Sequence, residues 1–134
     1  MAENIFLEVV TPSKTVVSEE AQVVVAPGSE GEFGVLKGHT TFLTSLKLGT
    51  LRYKDSSGKE RVVFISGGFA EVLPNKVTVL AESAERRKDI DAERARLAKE
   101  RAEKRLASRG DIDLIRAEAA LRRSIHRLSI IGKA

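Results

Sequence analysis

The first two thirds of the chain consist of short apolar stretches separated by turn-forming residues. In several of these stretches apolar and polar positions alternate, as they do in a strand with one buried face. The stretches span residues 5–10, 15–17, 21–26, 42–47, 50–54, 61–66, 69–73 and 77–82. Pro, Gly, Asn and Ser cluster between them, which is typical of turns. Many short strands without helical segments between them predict a β-sandwich or flattened barrel rather than a βαβ sheet.

Within this part, residues 52–65 carry the clearest hairpin signal. The turn-forming run Ser56-Ser57-Gly58-Lys59 lies there between two stretches of strand-forming residues. The apolar residues of both layers predict the core, which we expect to contain Ile5, Leu7, Val9, Val23, Val25, Val63, Ile65, Val77 and Val79.

Beyond residue 84 the composition becomes typical of helices. This part of the chain contains no aromatic residue, Pro or Val and is rich in Ala, Arg, Glu and Leu. Residues 89–106 and 111–128 form a repeat with an offset of 22, in which nine of eighteen positions are identical. Asp near the start of each copy suits a helix N-terminus, and Gly110 between the copies suits a turn. We therefore predict a β-sandwich domain at 1–84 and an antiparallel two-helix hairpin at 85–134.

The two predicted helices present seams of unequal size to each other. The first seam is mostly alanine and contains Ala95, Ala98, Ala102 and Leu106. The second is larger and contains Leu114, Ala117, Leu121, Ile125, Leu128 and Ile131. Because alanine buries little apolar area, we expect the hairpin to be marginally stable and able to open. A weakly closed hairpin is a candidate switch.

Composition argues against several classes of function. The chain has no Cys and two His, so thiolate metal sites and Cys nucleophiles are excluded and a hydrolytic or metal site is hard to build. No apolar run approaches the ~18 residues that a membrane span needs, and the N-terminus has no signal-peptide pattern. We therefore expect a cytoplasmic protein with neither catalytic residues nor a metal.

Two glycine-rich segments, 27–39 and 66–69, lack the following helix that a phosphate-binding loop needs. We interpret the first as a convoluted loop with positive φ angles and the second as a bulge or a close backbone approach. His39 has no His or Cys neighbour in sequence, which favours packing or capping over catalysis. Glu30 and Glu32 flank Gly31, and we expect them to point outward as a contact surface.

The net charge of +4 is distributed unevenly between the two parts of the chain. Residues 1–84 hold 8 basic and 10 acidic side chains, whereas residues 85–134 hold 15 basic and 9 acidic ones. In the tail, arginines form two stripes of identical spacing, namely Arg94, Arg101 and Arg105, and Arg116, Arg123 and Arg127. The stripes fit a solvated, salt-bridged surface, or contact with an acidic protein, an anionic ligand such as a nucleotide, or nucleic acid. Nucleic acid is the weakest of these, since the tail has no aromatic residues to stack on bases.

Three motifs make the chain similar to a known family. They are Pro27-Gly28-x-x-Gly31-Glu32-Phe33-Gly34-Val35-Leu36-x-Gly38-His39, Ser66-Gly67-Gly68-Phe69-Ala70-Glu71-Val72 and Val77-Thr78-Val79-Leu80-Ala81-Glu82. In this order and spacing they resemble the ε subunit of bacterial and chloroplast F-type ATP synthases over essentially the whole chain. The resemblance implies a ten-stranded β-sandwich followed by two helices, and a non-catalytic role in the central stalk of the rotor. It also implies a peripheral location at the cytoplasmic face of the bacterial inner membrane, without insertion into it.

The resemblance further implies three partners, the γ subunit, the ring of c subunits and the α/β catalytic head. The sandwich loop that holds Glu30, Gly31, Glu32 and His39 corresponds to the family segment on the c-ring and γ side. When the hairpin opens, its helices would reach the catalytic head and restrain ATP hydrolysis. The basic residues implied in that contact are Arg116, Arg122, Arg123 and Arg127.

A regulatory ATP is implied as well, although no cofactor is required. Ile90, Asp91, Arg94 and Ala95 match the Ile/Leu-Asp-x-x-Arg-Ala motif with which some bacterial ε subunits bind a nucleotide. The family positions implicated in the same site also include Glu85, Arg123 and Arg127. Guanidinium groups from two packed helices can hold phosphate oxygens. The alternative, that these residues only pair with each other across the hairpin, stays open.

Two other classes of function compete with this one. A basic RNA- or ribosome-associated protein would use the helical tail as its arm. An enzyme acting on an anionic substrate would need a nucleophile, a base or a metal cluster, and the sequence offers none. Tolerance of salt separates a rotor subunit from an RNA binder, whose affinity falls steeply as salt rises.

Overall fold

The computed structural model describes residues 3–108 and 113–132. The chain divides into two compact units, Met1–Arg87 and Lys88–Ala134. The first unit is built from strands and the second from two helices. The predicted order, a β-sandwich followed by a helical hairpin, is therefore confirmed.

Nine strands make up the first unit within the described residues. They are β1 (Ile5–Val10), β2 (Thr15–Gly28), β3 (Gly31–Val35), β4 (Phe42–Leu46), β5 (Gly49–Asp55), β6 (Glu60–Ile65), β7 (Gly68–Leu73), β8 (Lys76–Ala81) and β9 (Ala84–Arg86). About ten strands were expected from the family resemblance. The predicted strands at 15–17 and 21–26 are one continuous strand, β2, of 14 residues.

The length of β2 closes the sheet on itself. The strand order is β1-β8-β7-β4-β2-β5-β6-β9, and β1 pairs with β2 as well as with β8. The first half of β2 runs antiparallel to β1, while its second half runs antiparallel to β3 and β5. The apolar side chains therefore point into the space that the two layers enclose.

The core contains most of the residues predicted for it. Ile5, Leu7, Val9, Val63, Ile65, Val77 and Val79 are fully buried. Val23 and Val25 were predicted wrongly, because the buried residues at this point of β2 are Val24 and Ala26. The register of β2 against β5 shifts between Ala21 and Val23, and such a bulge reverses which side of the strand faces inward.

The glycine-rich segments differ in how well they were predicted. Residues 31–35 form β3, a strand within what was expected to be a loop, and Gly31 opens it with φ 134°. At Gly68 the expected close backbone approach is present, since an added Cβ would clash with the carbonyl oxygen of Leu80. Only glycine fits between β7 and β8 at that point.

The boundary between the units lies three residues later than residue 84. The predicted boundary falls inside β9, whose Ala84, Glu85 and Arg86 pair with Ile65, Phe64 and Val63 of β6. The boundary was placed too early because β9, the last strand of the sheet, is short and polar. Its composition resembles that of the helical part which follows. A 3₁₀ turn, Arg87–Asp89, follows it.

The second unit consists of α1 (Ala92–Ala107) and α2 (Leu114–Gly132). Oδ1 of Asp91 accepts a hydrogen bond from the backbone N of Arg94 at 3.0 Å, and Oδ1 of Asp113 accepts one from Arg116 at 3.0 Å. Both helices thus begin with the same aspartate cap, as the repeat predicts. Arg109 and Gly110 of the predicted turn lie outside the described residues.

The helices pack through small side chains. Ala95 and Ala102 of α1 and Ala117 of α2 are buried, as predicted, and Ser124 and Ile130 of α2 are buried as well. Leu114 and Ile125, which were predicted for the seam of α2, are exposed. The buried face of α2 therefore includes small residues beside Ile130, and the alanines on α1 let the helix backbones approach closely.

Candidate functional site

The β2–β3 hairpin carries the acidic residues predicted as a contact surface. Gly28 pairs with Gly31, so Glu30 lies at the tip of the hairpin, where it is exposed. Glu32 is also exposed, and its Oε1 accepts a hydrogen bond from Nη2 of Arg52 at 2.9 Å. Within the described residues Glu30 has no such ion pair. Glu30 is thus the acid at this tip that is available to a partner.

His39 lies after β3 and helps to shape this end of the sandwich. Its Nδ1 donates to the carbonyl oxygen of Thr40 at 2.7 Å, because a carbonyl oxygen can only accept. The ring centroid lies 5.2 Å from that of Phe42, which in turn contacts Phe33 edge-to-face at 5.2 Å. The ring of His39 therefore packs against an aromatic pair, while the loop around it stays exposed.

An exposed apolar surface on the outer side of β4, β7 and β8 was missed in the sequence. Leu43 is 72% exposed, Phe69 57% and Leu80 56%. Phe69 pairs directly with Leu80 across β7 and β8, next to a depression of about 410 Å³ that Val10 also lines. The alternation along β7 contained the signal for this surface. Ala70 and Val72 share one face of the strand and Phe69 and Glu71 share the other, so Phe69 points outward when Ala70 and Val72 face the core.

The residues predicted to bind ATP are distributed over both units. Glu85 belongs to β9 of the first unit, where it pairs with Phe64. In the second unit Ile90 and Ala95 are buried, and Asp91 caps α1 through the backbone N of Arg94. The cap occupies Oδ1 of Asp91. The predicted motif therefore has a structural role at the start of α1 in addition to any role in binding.

Arginines from both helices gather along one groove of the hairpin. The groove has a volume of about 220 Å³ and is lined by four alanines and by Arg101, Arg105, Arg116 and Arg123. Arg94 and Arg127 do not line it. Of the four arginines predicted to reach the catalytic head, Arg116 and Arg122 are exposed, whereas Arg123 and Arg127 are half-buried.

The end of the first unit is held by a polar network. Arg86 donates from Nε to the carbonyl oxygen of Val16 at 2.9 Å and from Nη2 to Oε2 of Glu19 at 3.3 Å. The hydroxyl of Tyr53 donates to the same Oε2 at 2.9 Å. Burial and the hydrogen bond to Glu19 raise the pKa of Tyr53 to about 12, so the phenol stays neutral and acts as a donor.

The part of the chain that the structure describes offers neither a metal-binding group nor a membrane-spanning helix. Among residues 3–108 and 113–132, no group of three or more His, Cys, Asp or Glu could hold a metal ion. Nor does this part of the chain contain a helix that is both long and apolar enough to span a membrane.

Comparison with known proteins assigns both units. The family model described as ATP synthase, Delta/Epsilon chain, beta-sandwich domain matches residues 4–87, and the corresponding long alpha-helix domain matches residues 88–132. The chain is 76% identical to the ATP synthase epsilon chain of Desulforapulum autotrophicum over 132 residues, which is 98% of each chain. It is 56% identical to that of Nitratidesulfovibrio vulgaris over 135 residues, the whole of both.

Solved structures agree with this assignment. A chain of the Euglena gracilis mitochondrial ATP synthase, solved as OSCP/F1/c-ring, superposes with a TM-score of 0.75 at 30% identity. That match covers 88% of this chain and 75% of the other. A chain of the Tetrahymena thermophila mitochondrial ATP synthase central stalk and c-ring has a TM-score of 0.56 over 98% and 96% of the two chains. At 14% identity the latter likeness shows the fold alone.

Proposed function

The chain belongs to the ATP synthase delta/epsilon family, and we propose how its two units serve the rotating central stalk of an F-type ATP synthase. It is a non-catalytic subunit of that stalk. The resemblance found in the sequence is confirmed, and the alternative of an RNA- or ribosome-associated protein is not supported. The single observation that carries the proposal is the match of each compact unit to its own family model.

The sandwich binds the γ subunit through the apolar surface formed by Leu43, Phe69 and Leu80. Phe69 and Leu80 are exposed and directly paired, and Leu43 is exposed on β4, the strand that pairs with β7 on its other side. Large exposed apolar side chains on neighbouring strands favour a lasting protein interface. The exposed carboxylate of Glu30 at the hairpin tip suits basic side chains of the c-ring, where it would mainly set orientation and association rate. The subunit is then a peripheral part of a membrane complex, at the cytoplasmic face of the inner membrane.

The helices restrain ATP hydrolysis when the hairpin opens. The second unit carries most of the positive charge, which suits an acidic surface of the catalytic head. In a reconstituted complex, the variant with Arg116→Ala, Arg122→Ala, Arg123→Ala and Arg127→Ala should hydrolyse ATP faster, with synthesis nearly unchanged. A control removes as many charges from elsewhere in the second unit, through Lys88→Ala, Arg96→Ala, Lys99→Ala and Lys104→Ala. Equal hydrolysis by both variants and the wild type would exclude the basic face of α2.

ATP holds the hairpin closed through Asp91, Arg94, Arg123 and Arg127. The internal repeat supports this, because Arg116 lies in one groove with Arg101 and Arg105 of the other helix. If the two repeats pack by an equivalent relation, Arg94 of the first repeat would lie towards Arg123 and Arg127 of the second. A ligand that needs both helices stabilises the closed state by its differential affinity.

Calorimetry on the full chain tests this regulatory site. The variant Arg94→Ala, Arg127→Ala should lose at least about tenfold in affinity for ATP, since each guanidinium bond to phosphate is charge-assisted. The variant Arg96→Ala, Arg122→Ala removes the same charge from exposed positions and should bind as the wild type does. Absence of saturable heat at millimolar ATP would refute regulation by ATP and leave the role in the stalk intact.

A further inference from the structure

The side chain of Arg86 fastens the last strand of the sandwich, and we propose that this fastening sets how far the opened helices can reach. Its three hydrogen bonds, to the carbonyl oxygen of Val16, the carboxylate of Glu19 and the hydroxyl of Tyr53, form the Arg86 anchor. This positioning role rests on the proposed restraint of ATP hydrolysis by the opened helices. It adds a residue that acts on the restraint from inside the sandwich.

The strand β9 has little of its own to hold it in the sheet. It contains three residues, Ala84–Arg86, and lies at the end of the strand order, where it pairs with β6. Short segments with few backbone hydrogen bonds open locally at a much lower free energy than the whole domain does. A pull on the chain beyond residue 86 would therefore separate β9 from β6 before it disturbed the other strands.

The beginning of β9 is fastened through Ser66. The backbone N and the hydroxyl of Ser66 both donate to the carbonyl oxygen of Ser83, at 3.1 and 3.2 Å. The backbone N of Ser83 in turn donates to the Ser66 hydroxyl at 2.9 Å. Separation of β9 would thus stop at Ser83 and would free at most the three residues that follow it.

The end of β9 is fastened by the Arg86 anchor, which crosses to two other strands. Val16 and Glu19 belong to β2, and Tyr53 belongs to β5. Tyr53 is buried and its hydroxyl donates to the same carboxylate oxygen of Glu19 that Arg86 contacts, so the acceptors are themselves held in place. Since a guanidinium group is a rigid planar fork of donors, bonds to three acceptors on two strands resist movement of Arg86 in several directions.

The chain beyond the anchor has no comparable fastening. Within the described part of the chain, no side chain of the 3₁₀ turn Arg87–Asp89 forms a hydrogen bond or an ion pair. Ile90 is buried and Asp91 caps α1, and both belong to the helical unit. The turn is therefore the linker at which the helices can swing out while the sandwich stays intact.

The anchor decides the length of this linker. While the anchor holds, the linker begins at Arg87. Loss of the anchor frees up to three more residues, and at about 3.3 Å per extended residue the linker gains as much as ~10 Å. A linker longer than the span that it must bridge lowers the effective concentration of the tethered group at its target. Arg86 therefore strengthens the restraint of hydrolysis without contacting the catalytic head.

Hydrogen exchange of the full chain, measured by mass spectrometry, tests whether Arg86 holds β9. Arg86→Met removes the three hydrogen bonds and keeps the apolar stem, so the backbone of residues 84–86 should exchange roughly tenfold faster or more. Asp55→Asn is the control, because it weakens the β5–β6 turn and leaves the contacts of β9 in place. An equal rise of β9 exchange in both variants would reflect a general loss of stability and would overturn the anchor.

ATP hydrolysis by reconstituted complexes tests whether the anchor sets the reach. Arg86→Met makes the linker too long, whereas deletion of residues 87–89 makes it too short, and each should raise hydrolysis at least about twofold. Combined, the two changes leave residues 84–86 as a linker of the original length, so hydrolysis should return close to the wild-type rate. Asp55→Asn should restrain hydrolysis as the wild type does. Circular dichroism records the helical content of every variant.

If the deletion unfolds the helices, Gly-Ser-Gly inserted between Arg87 and Lys88 replaces it and should raise hydrolysis as Arg86→Met does. Full restraint by Arg86→Met, or a combined variant no better than the single ones, would overturn the effect on reach. Restraint by a chain ending at Arg87 that equals that of the full chain would instead refute the role of the helices. In that case hydrogen exchange still decides whether Arg86 holds β9.

Discussion

Arg86 donates a hydrogen bond from Nη2 to Oε2 of Glu19 at 3.3 Å, and this contact ties the last strand of the sandwich to its longest one. The same guanidinium group also reaches the carbonyl oxygen of Val16 and the hydroxyl of Tyr53. Arg86 stands one residue before the end of the first compact unit. The network therefore fixes the point at which the sandwich ends.

Replacing Arg86 by methionine should lower the free energy of unfolding of the sandwich by about 1–3 kcal/mol, because it removes three partly buried hydrogen bonds but keeps the apolar stem. Tyr53 is the one Tyr in a chain without Trp, so its fluorescence reports unfolding of this unit in urea. The control Arg52→Met breaks the exposed pair with Glu32 in the same unit and should change stability by less than about 0.5 kcal/mol. Equal effects would show that Arg86 is not an anchor.

Truncation should separate the two units at a defined residue. A chain ending at Arg87 keeps β9 and the network of Arg86, so it should fold, bind γ and support proton-driven synthesis in a complex depleted of this subunit. A chain ending at Glu85 lacks Arg86, and we expect it to fold with reduced stability. Urea unfolding compares the two, and reconstituted synthesis checks coupling. Failure of the longer chain to restore coupling would show that the helices are needed for more than restraint of hydrolysis.

The stability of the β5–β6 hairpin should depend on acid pH through Asp55. Hydrogen bonds from the Ser57 hydroxyl at 2.6 Å, the backbone N of Lys59 and Arg61 lower the pKa of the Asp55 carboxyl from 3.8 to about 2. A lowered pKa in the folded state means that the stabilisation is complete above the unfolded value and is lost as the pH falls from about 4 towards 2.

Unfolding in urea across this pH range measures the effect. Asp55→Asn should be less stable than the wild type at neutral pH and should lose less stability between pH 4 and 2. Arg61→Ala should keep part of the wild-type pH dependence, since the bonds from Ser57 and Lys59 remain. An Asp55→Asn variant with an unaltered acid transition would contradict the assignment.

The apolar surface on β4, β7 and β8 should be needed for binding but not for folding. Phe69→Ser with Leu80→Ser should leave the thermal transition almost unchanged, since both side chains are exposed, and should weaken binding to isolated γ by roughly tenfold or more. The control Lys54→Ser changes an exposed residue of β5. Surface plasmon resonance with immobilised γ compares the affinities, and undiminished binding of the double variant would place γ elsewhere.

Local signals in the sequence were reliable wherever one interaction decides the structure. The turn at 56–59 was predicted because Gly58 and the polar residues beside it favour a turn between two strands. The helix starts were predicted because an aspartate cap accepts hydrogen bonds from the free backbone N–H groups at a helix N-terminus. The repeat with an offset of 22 predicted two equivalent helices, and Asp91 and Asp113 make the same cap. The family assignment followed from motifs with a fixed order and spacing.

The same signals could not predict which face of a strand or helix is buried, or which elements pack against each other. The bulge between Ala21 and Val23 exchanges the inner and outer faces of β2, and its position depends on pairing with β5, a strand about 30 residues away. Ala117 of α2 is buried as predicted, but Ser124 and Ile130 are buried as well, while the predicted seam residue Ile125 is exposed. Spacing within one helix does not contain that information.

The sequence by itself determined the fold class, the division into sandwich and hairpin, and the family, because each rests on patterns local to a segment. Only the tertiary structure decided which arginines share a groove, which apolar residues stay outside and where the first unit ends. Arg101 and Arg116 are 15 positions apart in the chain, yet they line one groove because two helices pack antiparallel. Such groupings depend on long-range packing, since residues far apart in the chain come into contact only when the elements that carry them pack together.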